Sequence, residues 1–516
     1  MLDYILEQTD EYLQSMDKVQ RKKIGQFFTS KETAEFMASI FTTKKKHLEI
    51  LDPGAGSGIL SAALIDKLQN TCIESINLTL YENDENVLPI LHNNIKYISE
   101  KSNININYKI IEKNYILDNE DDFNSTLLAH KDIHRYDFII CNPPYLKISK
   151  EAPEAQAMPL VCYGAPNMYF LFMSMALFQL KEDAEMVFII PRSWTSGAYF
   201  KKFREYLLSE GKIKHIHLFV SRGKVFDKEK VLQETIIVHV IKRKEKIESI
   251  KISSTESNFD FKNINEFVVP YNLALSYDEN KFVYLPINQE EVEILNKVHK
   301  FENTLQEIGI KLKTGLTVSF RNGELLHVKS DKDTVPIIYS TNFNEGIIKF
   351  PVKTDKKQYI DNSKKGLIQE NKDYLFIKRF TSKEEKRRIQ SAIYLKDICN
   401  EYDYISTDNK INFIDTIDKS KLTKDEIYGL YVVFNSTLYD KYYRILNGST
   451  QVNATEINYM HVPNRSELIK MGQILRRKND LSVNICDEIL GGLVDGKVRR
   501  SEGNIEISRD ATSTAI

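Results

Sequence analysis

The chain has no apolar run long enough to span a bilayer, no paired-cysteine motif and no excess of either charge. The first absence excludes a membrane partner and leaves a globular composition of 42% hydrophobic and 28% charged residues. The five cysteines, Cys72, Cys141, Cys162, Cys399 and Cys486, are odd in number and scattered, with no CxxC pair. That pattern argues against a disulfide framework and against a structural zinc site; no metal is expected, and a reducing, cytoplasmic compartment is. A formal net charge of −1 means that any nucleic-acid binding must come from a local basic face, because there is no global field to supply it. The opening "MLDYILEQTDEYLQ" mixes acids with alternating apolar residues, so no signal peptide is expected. Internal repeats and low-complexity tracts are also missing.

What is present is long enough, at 516 residues, for two or three domains. Residues 1–45 read as a helical segment containing the basic cluster Arg21-Lys22-Lys23, with Ser30 as an N-cap and Phe36, Met37 and Ile40 on one face. Within a domain placed at 46–290, short apolar runs ("HLEILDP", "INLTLYE", "YKIIEKN", "YDFIICN", "AEMVFIIP", "IKHIHLF", "ETIIVHVIK") alternate with stretches of helical spacing from 47 to 245. Strand–helix alternation predicts an α/β fold with a doubly wound, mostly parallel sheet; the last two runs follow closely, which predicts an antiparallel edge. The charged text after 245 reads as the end of that alternation. Residues 291–496 change to short strands and loops, an α+β pattern, and 497–516 read as a mobile polar tail. Between 351 and 400 stand 13 Lys and Arg against 7 Asp and Glu. Lys356-Lys357, Lys364-Lys365, Lys378-Arg379 and Lys386-Arg387-Arg388 interleave there with Tyr359, Tyr374, Phe376 and Phe380. Such interleaving suits phosphate contacts with stacking partners, although any single cluster reads equally as a solvated surface.

Two stretches carry chemistry. "YDFIICNPPYLKI" runs a buried strand into Asn142-Pro143-Pro144-Tyr145, where two prolines remove two donors and stiffen the exit loop at the carboxyl end of the strand. "LEILDPGAGSGIL" ends another strand in Asp52-Pro53-Gly54-Ala55-Gly56-Ser57-Gly58, a turn whose glycines let backbone approach a ligand. This loop starts with an acid and lacks the basic residue of a phosphate-binding P-loop, so it suits a cationic amino-acid group better than a pyrophosphate. Glu82 ends the next strand, where a carboxylate can accept both ribose hydroxyls. Nucleoside, cation and amino acid together describe S-adenosylmethionine.

These residues resemble the adenine-N6 amino-methyltransferases of restriction–modification systems, the type with the cofactor motif before the catalytic one. The likeness is close over residues 24–245 and looser beyond. It implies an S-adenosylmethionine-dependent methyltransferase sheet followed by a C-terminal DNA-recognition domain. In that family a "GQFFTS"-like segment touches the methionine part, which assigns Thr29; Asp52, Pro53, Gly54 and Gly56 line the cofactor loop, and Glu82 holds the ribose. The third motif, usually an acid and an aromatic, is matched by Asn114 and Tyr115, and the amide there can still accept a bond from the cofactor's adenine amine. Asn142 and the Pro143 carbonyl would bind the amine of a flipped-out adenine, Pro144 would hold the loop, and Tyr145 and Phe226 would stack on the base. The family implies double-stranded DNA as partner, a separately encoded restriction endonuclease alongside, and a monomer. "LQEIGIKLKTGLTVSFRNG" and "YYRILNGSTQVNATEINYMHVP" resemble target-recognition regions; Lys147 and Arg321 are candidate backbone contacts.

Three other readings compete. "NPPY" also serves methylation of RNA bases and of a protein glutamine amide, but those enzymes usually lack a large basic C-terminal domain. A non-catalytic DNA-binding module fits poorly with intact "DPGAGSG", Glu82 and "NPPY". A fused nuclease would rest on Glu384-Glu385-Lys386 alone, a cheap match in Lys- and Glu-rich text.

Overall fold

The apolar runs at β1 (His47–Asp52), β2 (Ser75–Tyr81), β3 (Asn105–Ile111) and β4 (Tyr136–Cys141) form one parallel group with β5 (Leu180–Pro191). The sheet then continues through β6 (Lys212–Phe219), β7 (Thr235–Ile241), β8 (Ser249–Thr255) and β9 (Asn265–Pro270). The nine strands lie in the order β3-β2-β1-β4-β5-β7-β6-β8-β9. β7 runs antiparallel to both β5 and β6, β8 is parallel to β6, and β9 closes the edge antiparallel. The structure, a computed structural model, describes residues 1–15, 17, 28–125, 133–220, 234–276, 278–382, 384–448 and 450–496. Its chain divides into two compact units, Met1–Asn288 and Gln289–Ile516.

The helices of the first unit are α1 (Leu2–Ser15), α2 (Lys31–Ile40), α3 (Ile59–Leu68), α4 (Leu88–Lys101), α5 (Tyr115–Asp118), α6 (Pro153–Ala157), α7 (Met168–Gln179) and α8 (Lys201–Glu210). In α7 every residue from Met168 to Leu177 is buried, an all-round apolar helix with no solvent face. α2 is capped by Ser30, whose hydroxyl accepts the Thr33 amide, and its buried stripe is Thr33, Ala34, Met37 and Ala38, with Phe36 and Ile40 on the margins.

β4 is buried along its whole length, including Asp137 near its amino end. A charge there is tolerated because Lys45 (2.6 Å) and Lys181 (2.9 Å) pair with its two oxygens, and the Glu49 amide donates to one of them.

The extent of the sheet corrects the sequence reading at one point. β8 lies inside the charged text, yet Ile250 and Ile252 face the core while Ser249 and Lys251 face out. A period of two was present there, masked by Lys251 on its outer face and by the charged residues just before it.

In the second unit, Ile310–Thr314, Ile411–Thr416, Tyr374–Lys378 and Ser391–Tyr394 pair antiparallel in a six-stranded sheet, and a separate sheet has five strands. Helices Lys424–Asn435 and Arg465–Lys478 cross backbone to backbone. A Cβ on Gly472 would collide with the Asp425 carbonyl, so only glycine permits that approach.

Candidate active site

Strand order reverses about β1. The chain leaves β1 for β2 and β3 on one side and returns to β4 on the other, with Ile50 beside Phe138 and Leu51 beside Ile139. A crevice at the carboxyl ends of two such strands is where open α/β sheets bind ligands. The loops after β1 and β4 are the two stretches singled out by their chemistry, and both line one cavity of about 770 Å³.

The glycine loop contributes Pro53, Gly54 and Gly56 to that cavity. Gly56 has φ +54°, a left-handed conformation that side chains disfavour, and its amide donates to Glu82 Oε2 at 2.9 Å. Glu82 Oε1 accepts the Asn83 and Asp84 amides at 2.8 and 2.9 Å. Burial pushes the Glu82 carboxyl above its ordinary range, against the pull of these three backbone bonds. The loop is braced from outside by α1: Thr9 Oγ1 lies 2.7 Å from Ser57 Oγ.

Asp52 lies elsewhere than the sequence placed it. It is fully buried and absent from the cavity wall, and Oδ2 accepts the Ser61 hydroxyl of α3 at 2.8 Å. Burial pushes its carboxyl up to about 7, against hydrogen bonds from Ser61 and the Gly54 amide. It therefore ties β1 to α3 behind the loop, and an acid facing a ligand is not what the geometry shows.

At the end of β3, Asn114 and Tyr115 both reach the cavity. Asn114 caps α5, its Oδ1 accepting the Ile116 and Leu117 amides at 3.0 and 3.3 Å; caps of this kind contribute about 1 kcal/mol. Its Nδ2 donates to Glu154 Oε1 of α6 at 2.8 Å. Tyr115 is buried, bonded through its hydroxyl to Gln179 and set 5.2 Å from the Phe172 ring. Sequence reasoning missed Glu154, and also Leu146 and Met168, which supply charge and apolar surface to the same cavity. No spacing rule points to Glu154, since it arrives on a loop and a short helix after the prolines.

Asn142, Pro143 and Pro144 open into the cavity from β4. Asn142 Nδ2 donates to Thr29 Oγ1 at 3.1 Å, joining two candidates 113 residues apart. Thr29 is itself buried and lines the cavity. Tyr145 does not line it: its hydroxyl donates to the Ile189 carbonyl of β5 at 3.0 Å, and its ring meets Tyr169 edge-on at 6.3 Å. Of the helix after the loop, Phe172 reaches the cavity and Tyr169 instead bonds Ser193 at 3.1 Å. Phe226, Arg21, Lys22, Lys23 and the tail from 497 lie outside the described residues.

The basic text of the second unit is partly structural. Arg388 and Lys372 are buried, Lys372 paired with Asp415 at 2.6 Å, and Tyr374 and Phe376 belong to the core, so none of these four faces a partner. Lys356, Lys357, Lys364, Lys365 and Lys386 are exposed. Phe380 and Phe320 are exposed as well, at 46% and 79%, each with the guanidinium of Arg379 or Arg321 about 5.5 Å from its ring. Lys147 stands 5.6 Å from the exposed Tyr199 ring. Among the described residues no group of three or more His, Cys, Asp or Glu could hold a metal ion, and no helix is long and apolar enough to cross a membrane.

Comparison with known proteins agrees with this geometry. Residues 59–226 match the Eco57I restriction-modification methylase family. The chain is 34% identical to the type II methyltransferase M.PstI of Providencia stuartii, over 91% of this chain and 94% of that one. It is 35% identical to M.BsuBI of Bacillus subtilis over the same shares. Among solved structures, the type IIL restriction-modification enzyme MmeI in complex with DNA superposes with a TM-score of 0.52 at 14% identity, covering 99% of this chain and 77% of that one. With the α/β sheet and its two loops in place, and relatives matched nearly end to end, the chain belongs to the type II DNA methyltransferases of restriction–modification systems.

Proposed function

We propose that this methyltransferase modifies the N6 amine of an adenine flipped out of duplex DNA, with S-adenosylmethionine as donor. The observation that carries the reading is the Thr29–Asn142 bond, which sets a rigid amide-and-proline loop on the rim of the cavity that holds Glu82 and the glycine loop.

The cavity residues fit that donor. A volume of about 770 Å³ suits a nucleoside bearing an amino acid. Gly54 and Gly56 give close backbone approach, Glu82 gives a carboxylate for ribose hydroxyls, and Tyr115, Met168 and Phe172 give apolar surface for a purine ring. The cofactor, when bound, supplies an electrophilic methyl group on a sulfonium.

This chain's own residues prepare the amine. The lone pair on adenine N6 is delocalised into the ring, which makes it a poor nucleophile. Asn142, oriented by Thr29, and the Pro143 carbonyl accept its two N–H groups; that pulls the nitrogen toward sp³ and localises the lone pair. Transfer would form the N–C bond as the methyl–sulfur bond breaks, leaving a neutral thioether and a cationic nitrogen that sheds one proton to water, so no strong general base is required. Pro143 and Pro144 keep the carbonyl in place. Tyr145, anchored on β5, offers a ring to the base, and the family resemblance assigns the second stacking role to Phe226, which lies outside the described residues. A base inside a duplex cannot reach such a loop, hence the flipping. The second unit reads the DNA site, its exposed lysines meeting phosphates, and methylation protects host DNA from a partner endonuclease.

The test is to incubate the purified chain with unmethylated DNA and S-adenosylmethionine, digest to nucleosides and identify the product by mass spectrometry. N6-methyldeoxyadenosine is expected. A methylated cytosine as the sole product would overturn the adenine assignment.

A further inference from the structure

We propose that Glu154 recognises the exocyclic amine of the cofactor's adenine, a task that residue 114 cannot perform in this chain. The proposal rests on the S-adenosylmethionine reading above and assigns one residue of that site.

Asn114 stands where a carboxylate would serve this role, at the end of β3, but its polar atoms are committed. An amide oxygen has two lone pairs, and both are used by the Ile116 and Leu117 amides. What Asn114 has left is its NH₂ group, a donor, and the adenine amine is a donor too. The two would repel. The NH₂ is instead turned onto Glu154 Oε1 at 2.8 Å.

Glu154 has the complementary chemistry. It lines the same cavity as Tyr115 and Phe172 and is half-buried on α6. A carboxylate is acceptor-only with about four lone-pair sites. Among the described residues its one side-chain bond is with Asn114, and no lysine or arginine pairs with it; the neighbouring Lys113 is engaged with Asp118 at 2.6 Å. Acceptor capacity therefore remains, aimed by the Asn114 amide and assisted by charge. The pair is also self-consistent. An aspartate at 114 would place a second carboxylate against Glu154, so neutrality at 114 and charge at 154 belong together. A 6-oxo purine would present an acceptor to this carboxylate and be rejected.

The test compares binding of S-adenosylhomocysteine with that of its analogue lacking the 6-amino group, by titration calorimetry on the full chain. For the wild type the deamino analogue is expected to bind roughly tenfold more weakly or worse, the size of a hydrogen bond to a charged group. In Glu154→Gln the carbonyl can still hold Asn114, which keeps α5 capped and the melting temperature unchanged. The gap between the two ligands is expected to close to about threefold or less, because S-adenosylhomocysteine weakens while the analogue does not. Glu154→Ala should close it likewise. Wild-type discrimination retained in both variants would overturn the assignment. Failure of the wild type to bind S-adenosylhomocysteine at all would overturn the cofactor reading, and this proposal with it.

Discussion

The two units spend their glycines, prolines and charges differently. In the first, three prolines and three glycines stand in the loops at the ends of β1 and β4, and the fold gathers those loops into one cavity. In the second, glycine serves helix packing at Gly472, and several basic and aromatic residues are buried as structure. A transfer reaction needs a few groups in one fixed geometry. Reading a DNA site needs many side chains spread over a surface. The first leaves compact words in a sequence, and the second does not.

The largest effect that can break this contrast is at the catalytic loop. Asn142→Ala should lower kcat by roughly 10²–10³-fold while cofactor affinity changes little, as befits an interaction made in the transition state. Single-turnover rates beside calorimetric Kd values check this. Equal losses in both would show that the loop is merely part of the binding wall.

Packing in the second unit comes next. Gly472→Ala should destabilise that unit by about 3 kcal/mol or more, since backbone must move to admit the Cβ. Denaturant unfolding is expected to lose DNA binding first, with S-adenosylhomocysteine binding preserved. Simultaneous loss of both would mean that the units fold as one.

Thr29→Ala should cost about tenfold in kcat, for loss of one orienting bond to Asn142, and Thr29→Ser should restore most of it. An unaffected rate would dissociate Thr29 from the catalytic amide.

The smallest effect concerns Asp52. Its carboxyl is raised to about 7 from an ordinary value near 3.8, so the neutral form is the one the folded state prefers. That contribution is complete below pH 3.8 and is lost as pH rises through 7. Asp52→Asn, permanently neutral, should match the wild type in unfolding free energy near pH 3.5 and exceed it by a margin that grows up to about pH 7 and then levels off. A constant difference across that range would contradict the buried placement.

These cases show where the sequence was legible. The continuous apolar run Phe138–Cys141, buried on both faces, announced β4, Leu48, Ile50 and Leu51 announced β1, and the residues after them announced the loops. β8 was hidden because Lys251 and the charged residues before the strand resemble a charged linker. Asp52 and Asn114 were singled out, yet the direction of each side chain is set by partners such as Ser61 and Glu154 that no spacing rule links to them. In the second unit, Tyr374, Phe376 and Arg388 looked like surface stacking and phosphate groups, and burial, which composition cannot reveal, made them core.

The most direct test of the central claim is to express the chain in a bacterial host free of DNA methylation and map modified bases genome-wide by long-read sequencing, beside Asn142→Ala. The expected result is one short motif with its adenine fully methylated, and no modification in the variant. Unmodified DNA from soluble wild-type protein that binds S-adenosylmethionine, or a motif that survives in the variant, would contradict it.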